Sequence, residues 1–185
     1  MLRNSLIVVW TLGAALALIS CKEKSAEPAA KGGYGAFSFE QRLTLPGSPE
    51  MIYDAISGDI SGWWDHSFSE KPYRFYIEPR PGGGFYEIFN EQGDGVLHAT
   101  VIYAERGKRL RFEGPLGLSG KAVTLVCTYE FEAAGGDSTL LELSVHAAGE
   151  IEDGAEQIVK RVWQHFLVER FKPYVESGGH LSKMQ

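Results

Sequence analysis

Five histidines, at positions 66, 98, 146, 165 and 180, are the side chains of this sequence best suited to proton transfer or metal ligation near neutral pH. No two of them have the close spacing of a zinc motif, which needs several ligands in defined geometry. The sequence therefore indicates no metal centre and no cofactor. His98 and His146 fall on predicted strands, His66 on a loop, His165 on a predicted helix and His180 in the tail. Glu78, Glu87 and Glu142 alternate with apolar neighbours and read as the solvated face of a sheet. A pair of acid–base carboxylates would need two of them to turn inward against that pattern. Cys127 lies on the apolar face of Val123-Leu125-Cys127-Tyr129-Phe131, where a lone cysteine is a small hydrophobe. The sequence assigns no catalytic residue.

Aromatic residues offer a different chemistry, the holding of an apolar ligand. Eight tyrosines and ten phenylalanines suit an aromatic or acyl ligand, and suit a packed core equally well. Trp63 and Trp64 are adjacent and cannot face the same way on a regular element. Either one seals the core while the other lines a cavity mouth, or both are plugs.

These residues must be positioned by a run of strands between two helices. Phe37, Phe39, Leu43 and Leu45 alternate with polar neighbours up to Pro46-Gly47. Ser48 is a good N-cap for a short helix over 49–56, with Pro49 at its first position and Ile52, Tyr53 and Ile56 on one face. Strands are predicted over 73–77, 85–89, 96–103, 109–113, 123–132 and 139–146, which makes seven with the first. Their hairpin-length links favour an antiparallel sheet. A long amphipathic helix over about 150–176 follows, with Ile151, Ile158, Val162 and Phe166 on one ridge. Pro173 is expected to kink or end its regular part.

Period two turns Phe75, Ile77, Phe85, Val101, Tyr103 and Leu110 inward, with Phe112, Leu125, Tyr129, Leu141 and Leu143. A helix laid across such a sheet roofs a cleft. Its candidate ligand-binding residues are Trp63, Trp64, Phe75, Phe85, Phe112, Tyr129 and Leu143, joined by Trp163 and Phe166 from the helix.

Three motifs carry a family resemblance. They are Trp63-Trp64 after a short helix, Glu78-Pro79-Arg80-Pro81-Gly82-Gly83-Gly84-Phe85 at a hairpin, and Thr139-Leu140-Leu141-Glu142-Leu143-Ser144-Val145-His146 before the long helix. Together they resemble the START-like (SRPBCC) superfamily, within it the branch named for the activator of the heat-shock ATPase, over about 36–178. The resemblance implies an α+β helix-grip fold whose space between sheet and helix holds hydrophobic molecules. It does not imply one chemistry, since members include lipid carriers, cyclases, resistance proteins and co-chaperones. His146 matches a position that the family often fills with histidine.

The N-terminus reads as an address. Residues 1–20 read as a leader with Arg3 and an apolar core, and Leu18-Ile19-Ser20-Cys21 resembles a bacterial lipobox, a resemblance that implies Cys21 as the lipidated first residue; a plain secretory signal or an uncleaved membrane helix is the alternative. Two acyl chains would tether the protein stably to a membrane facing the periplasm, and Lys22 permits outer-membrane sorting. Residues 21–35, poor in apolar side chains, read as a flexible tether before a domain at 36–178 and a tail at 179–185. Export makes an ATP-driven cytosolic chaperone an implausible partner. The net charge of −6 has no basic stripe to offset it, which disfavours nucleic acid. The expected function is binding of a hydrophobic small molecule or lipid. The alternatives are a cyclase- or hydratase-type enzyme using His146 or Tyr129, and an envelope protein-interaction module.

Overall fold

The computed structural model describes residues 33–184; the expected leader, Cys21 and most of the expected tether lie outside them. The first half of the chain comprises β1 (Tyr34–Pro46), α1 (Pro49–Ile56), β2 (Gly58–Asp59), β3 (Arg74–Ile77), β4 (Gly84–Ile88) and β5 (Gly95–Glu105). Then come β6 (Arg109–Gly114), a 3-10 turn at Leu116–Leu118, β7 (Val123–Ala133), β8 (Ser138–Glu150), α2 (Ala155–Gln164) and α3 (Lys172–Glu176). The strands make one antiparallel sheet in the order β1-β8-β7-β6-β5-β4-β3-β2, curved about the C-terminal helix. This is the expected α+β helix grip.

Several boundaries differ from the sequence expectation, each for a reason of pairing. Among the described residues there are eight strands, because β2 adds Gly58 opposite Ile77, a pairing too short to leave an alternating signal. β1 pairs with β8 along its whole length, Tyr34 opposite Glu150 and Pro46 opposite Ser138. Tyr34 and Gly35 therefore belong to the sheet and not to a tether. The last strand runs to Glu150, so the helix begins at Ala155, after Gly154 in the left-handed region at φ 82°. Residues expected as a loose tail form a 3-10 turn at Gly179–Met184, with His180 buried.

Pro173 does not end the helix, but the regular α-helical part stops before it, at Gln164. Proline lacks an N–H and its ring opposes the carbonyl four residues back. The turn before it widens into a π segment, His165–Phe171, in which the Lys172 N–H donates to the Leu167 carbonyl, and α3 continues to Glu176.

The Pro-Gly-Gly-Gly hairpin has a steric cause. Gly82 sits at φ 77°, where only glycine is unstrained. A Cβ on Gly83 would come within 2.4 Å of the Glu78 carbonyl oxygen. Because that neighbour is backbone, Gly83→Ala is expected to cost about 1–3 kcal/mol, read as a lower urea midpoint at unchanged slope.

Two bulges in β5 aim the side chains that matter. Opposite β4, Phe85 pairs with Ala99 but Tyr86 pairs with Leu97, leaving His98 as the extra residue. Strict alternation from Val101 would put His98 on the outer face; the bulge makes both His98 and Ala99 buried. Opposite β6, Val101 pairs with Phe112 and Tyr103 with Arg111, leaving Ile102 extra. Tyr103, expected inward, is consequently 37% exposed, and its place inside is taken by Ala104 opposite Leu110. The other expected inward residues are buried.

Candidate functional site

A cavity of about 330 Å³ lies between the concave side of the sheet and the C-terminal helix. Val159, Val162, Trp163 and Phe166 contribute its helix wall, Leu125 the sheet wall, and Leu116 and Leu118 one end. Ile158 and Phe68, about half exposed at 56% and 50%, frame its rim. Trp64 is central to the aromatic wall. Its ring stacks on Phe166 at 3.8 Å and 18°, and stands edge-on to Phe85 at 4.9 Å.

Of the nine residues expected to bind ligand, Trp64, Trp163 and Phe166 line this space. The other six do not. Trp63, 1% exposed, seals the core against Phe171 at 4.9 Å, so the adjacent tryptophans divide as one plug and one wall. Phe75, Phe85, Phe112, Tyr129 and Leu143 are packed among neighbours in the core beneath the cavity floor. Period two predicted their inward direction correctly but cannot separate a core position from a cavity position.

The residues named for catalysis are also displaced. His146 is exposed and lines a shallow depression over β1, β7 and β8 to which no helix residue contributes. Tyr129 is buried in the core, and burial raises its phenol well above the ordinary value. Burial likewise pushes the Cys127 thiol up, away from any thiolate role.

The polar groups at the cavity come from residues the sequence reading missed. Glu87, expected on the solvated face, is 0% exposed and points inward. Its carboxylate accepts hydrogen bonds from the Ser67 hydroxyl at 2.7 Å, the Phe68 N–H at 2.9 Å and the Ser69 N–H at 3.0 Å. His98 Nε2 lies 3.2 Å from its other oxygen. Burial alone would raise the Glu87 pKa; those hydrogen bonds outweigh it and hold the carboxyl below its usual range. Burial lowers the His98 imidazole, and its hydrogen bonds to the Leu116 carbonyl and to Glu87 offset only part of that. One buried pair thus grips both loops at the mouth, 65–69 through Glu87 and 115–118 through His98.

The other end of the first loop is fastened to the helix. Asp65 meets His165 Nε2 at 2.9 Å, Arg170 Nε at 3.1 Å and His66 Nδ1 at 3.0 Å. The Trp64 indole N–H donates to the His66 carbonyl at 2.8 Å. Burial would raise the Asp65 carboxyl, but the two histidines and Arg170 bring it below the usual range. Glu169 and Asp65 raise the His165 imidazole. Residues 65–69 therefore strap the helix to the sheet across the cavity rim. No sequence spacing announces this, since Asp65 and His165 are 100 residues apart.

The architecture is shared with solved structures. An uncharacterized protein from Rhizobium leguminosarum superposes with a TM-score of 0.59 at 14% identity, over 78% of this chain and 97% of that one. The Mll3558 protein from Rhizobium loti gives 0.55 at 20% identity, over 73% and 94%. The protein SA2116 of unknown function from Staphylococcus aureus gives 0.55 at 13%, over 82% and 98%. At such identities the likeness is one of fold. No curated protein matches this chain in sequence. Residues 46–176, from the end of β1 through the last helical turn, match the sequence pattern of one family, and by that match the chain belongs to the Activator of Hsp90 ATPase homolog 1-like protein family, within the START-like fold.

Proposed function

We propose that this protein is a membrane-tethered binding domain of the cell envelope that holds a small apolar molecule without transforming it. The observation that carries the reading is the aromatic cavity roofed by α2. Its volume of about 330 Å³ is at the low end of small-molecule sites, which run from ~300 to 1,000 Å³. That size favours a single acyl chain or a compact aromatic ligand over a whole diacyl lipid. The buried polar groups at the mouth hold its loops: Glu87 accepts from Ser67, Phe68 and Ser69, and His98 Nε2 is engaged by Glu87. This supports binding over catalysis. The lipobox-like ending at Cys21 supports the tether and the periplasmic address.

Native mass spectrometry of the full-length protein purified from membranes tests both parts. The expected spectrum contains the processed chain with an acyl mass on Cys21, plus a co-purified apolar molecule. Val162→Trp, which extends an indole into the cavity, is expected to lose that molecule and to reduce uptake of an apolar fluorescent probe at least tenfold. A wild-type chain that carries no molecule and takes up no probe sinks the binding reading. An unmodified, soluble chain sinks the tether.

A further inference from the structure

We propose that Asp65, His66 and His165 form a binding site for one divalent transition-metal ion of the zinc class at the rim of the cavity. Their ligand atoms all lie within 4.8 Å of one another. Two donors that each sit about 2.1 Å from a metal, at angles between square and tetrahedral, are roughly 2.9–3.4 Å apart. The Asp65 Oδ1 atom already meets that spacing on both sides, 3.0 Å from His66 Nδ1 and 3.1 Å from His165 Nε2. Only the gap between the two imidazoles has to close, by side-chain rotation.

The surroundings fit ligation in three ways. Glu169 Oε2 lies 2.9 Å from His165 Nδ1, one helical turn away on the same face. A carboxylate there accepts a hydrogen bond from Nδ1–H, the arrangement by which outer partners fix the tautomer that offers the Nε2 lone pair of a metal-binding histidine. Arg170 contacts Asp65 at Oδ2, so Oδ1 can ligate while Oδ2 keeps its cation. His66 packs edge-on against Phe166 at 4.7 Å and lines the cavity. Two imidazoles and one carboxylate suit zinc, cobalt(II) or nickel(II) better than calcium or magnesium, which prefer oxygen. Three protein ligands leave coordination positions open, and the rim location turns them toward whatever occupies the cavity.

The inference goes beyond the binding reading and does not need an apolar ligand to be present. Zinc chloride is titrated calorimetrically into the full-length protein after stripping with a chelator, at about pH 7.5. One equivalent is expected to bind. Affinity is expected to fall at least tenfold in Asp65→Asn and in His165→Gln, and by 10- to 100-fold in Glu169→Ala through loss of orientation. His146→Ala, on the outer depression, is expected to leave the isotherm unchanged. Circular dichroism checks that each variant is folded; should Asp65→Asn fail to fold, His66→Gln replaces it. Absence of a one-equivalent isotherm overturns the proposal, as does an isotherm that is the same in the Asp65 and His165 variants.

Discussion

Glu87→Ala is expected to lower the free energy of unfolding by about 3–5 kcal/mol, the cost of removing a buried carboxylate that accepts several charge-assisted hydrogen bonds, each worth about 1.5–3 kcal/mol. The carboxylate is 0% exposed and accepts from Ser67, Phe68 and Ser69 beside His98. Its removal leaves His98, 4% exposed, without one partner and frees the 65–69 strap from the sheet. Glu87→Gln keeps the shape and part of the accepting capacity, so its loss is expected to be smaller, about 1–3 kcal/mol. Urea unfolding reads both. A Glu87→Ala protein as stable as wild type would mean that the carboxylate holds nothing.

The same pair sets a pH dependence with a definite sign. The Glu87 carboxyl is held below its ordinary value in the fold, so its contribution is present above the unfolded pKa and lost as pH falls through the folded one. The buried His98 imidazole is also lowered, so the unfolded chain binds its proton first, and folding weakens as pH drops below about 6.5. Both groups act in one direction. Their joint contribution to stability is expected to decline on acidification from neutrality, opposed in part by the raised His165 imidazole, which favours the fold as pH falls, and Glu87→Ala is expected to flatten the lower part of that decline.

Trp64→Ala is expected to cost about 3 kcal/mol, the lower end of the range for deleting a large aromatic, because the ring is only half-buried. The loss combines the stack on Phe166, the edge contacts with Phe85 and Trp163, and the indole bond that fixes the His66 carbonyl. It also widens the cavity, so apolar probe affinity is expected to fall even where the protein remains folded. Trp64→Phe retains an aromatic face against Phe166 and is expected to lose less on both measures. Equal probe binding by Trp64→Ala and wild type would show that the wall identified here does not hold the ligand.

Much of the fold was legible from local patterns alone. α1 has the Ser48 cap and the Pro49–Ile56 bounds that its residue types require. The hairpin around Gly82-Gly83 follows from a positive φ and a close carbonyl, both local matters. Alternation assigned the inward side of most strands, and the apolar ridge of the last helix pointed Trp163 and Phe166 at the sheet. Such features depend on residues a few positions apart, and a sequence records those separations directly.

What alternation could not contain was the exceptions to it. One extra residue in β5 carries His98 inside, and a second turns Tyr103 out, because a bulge shifts every later side chain to the opposite face. Glu87 reads as solvated by its type, although period two from Phe85 turns it inward; donors from a loop 18 to 20 residues earlier satisfy its carboxylate there. Asp65 and His165 meet only once the helix is seated across the sheet. The sequence by itself determined a curved antiparallel sheet gripping one long helix, with aromatic side chains between them. Only the tertiary structure decided which aromatics wall a space and which fill the core, and which polar groups stand at its rim. That division has a physical basis: periodicity is set by the geometry of one element, whereas a cavity and its charges exist only where several elements fail to fill the volume between them.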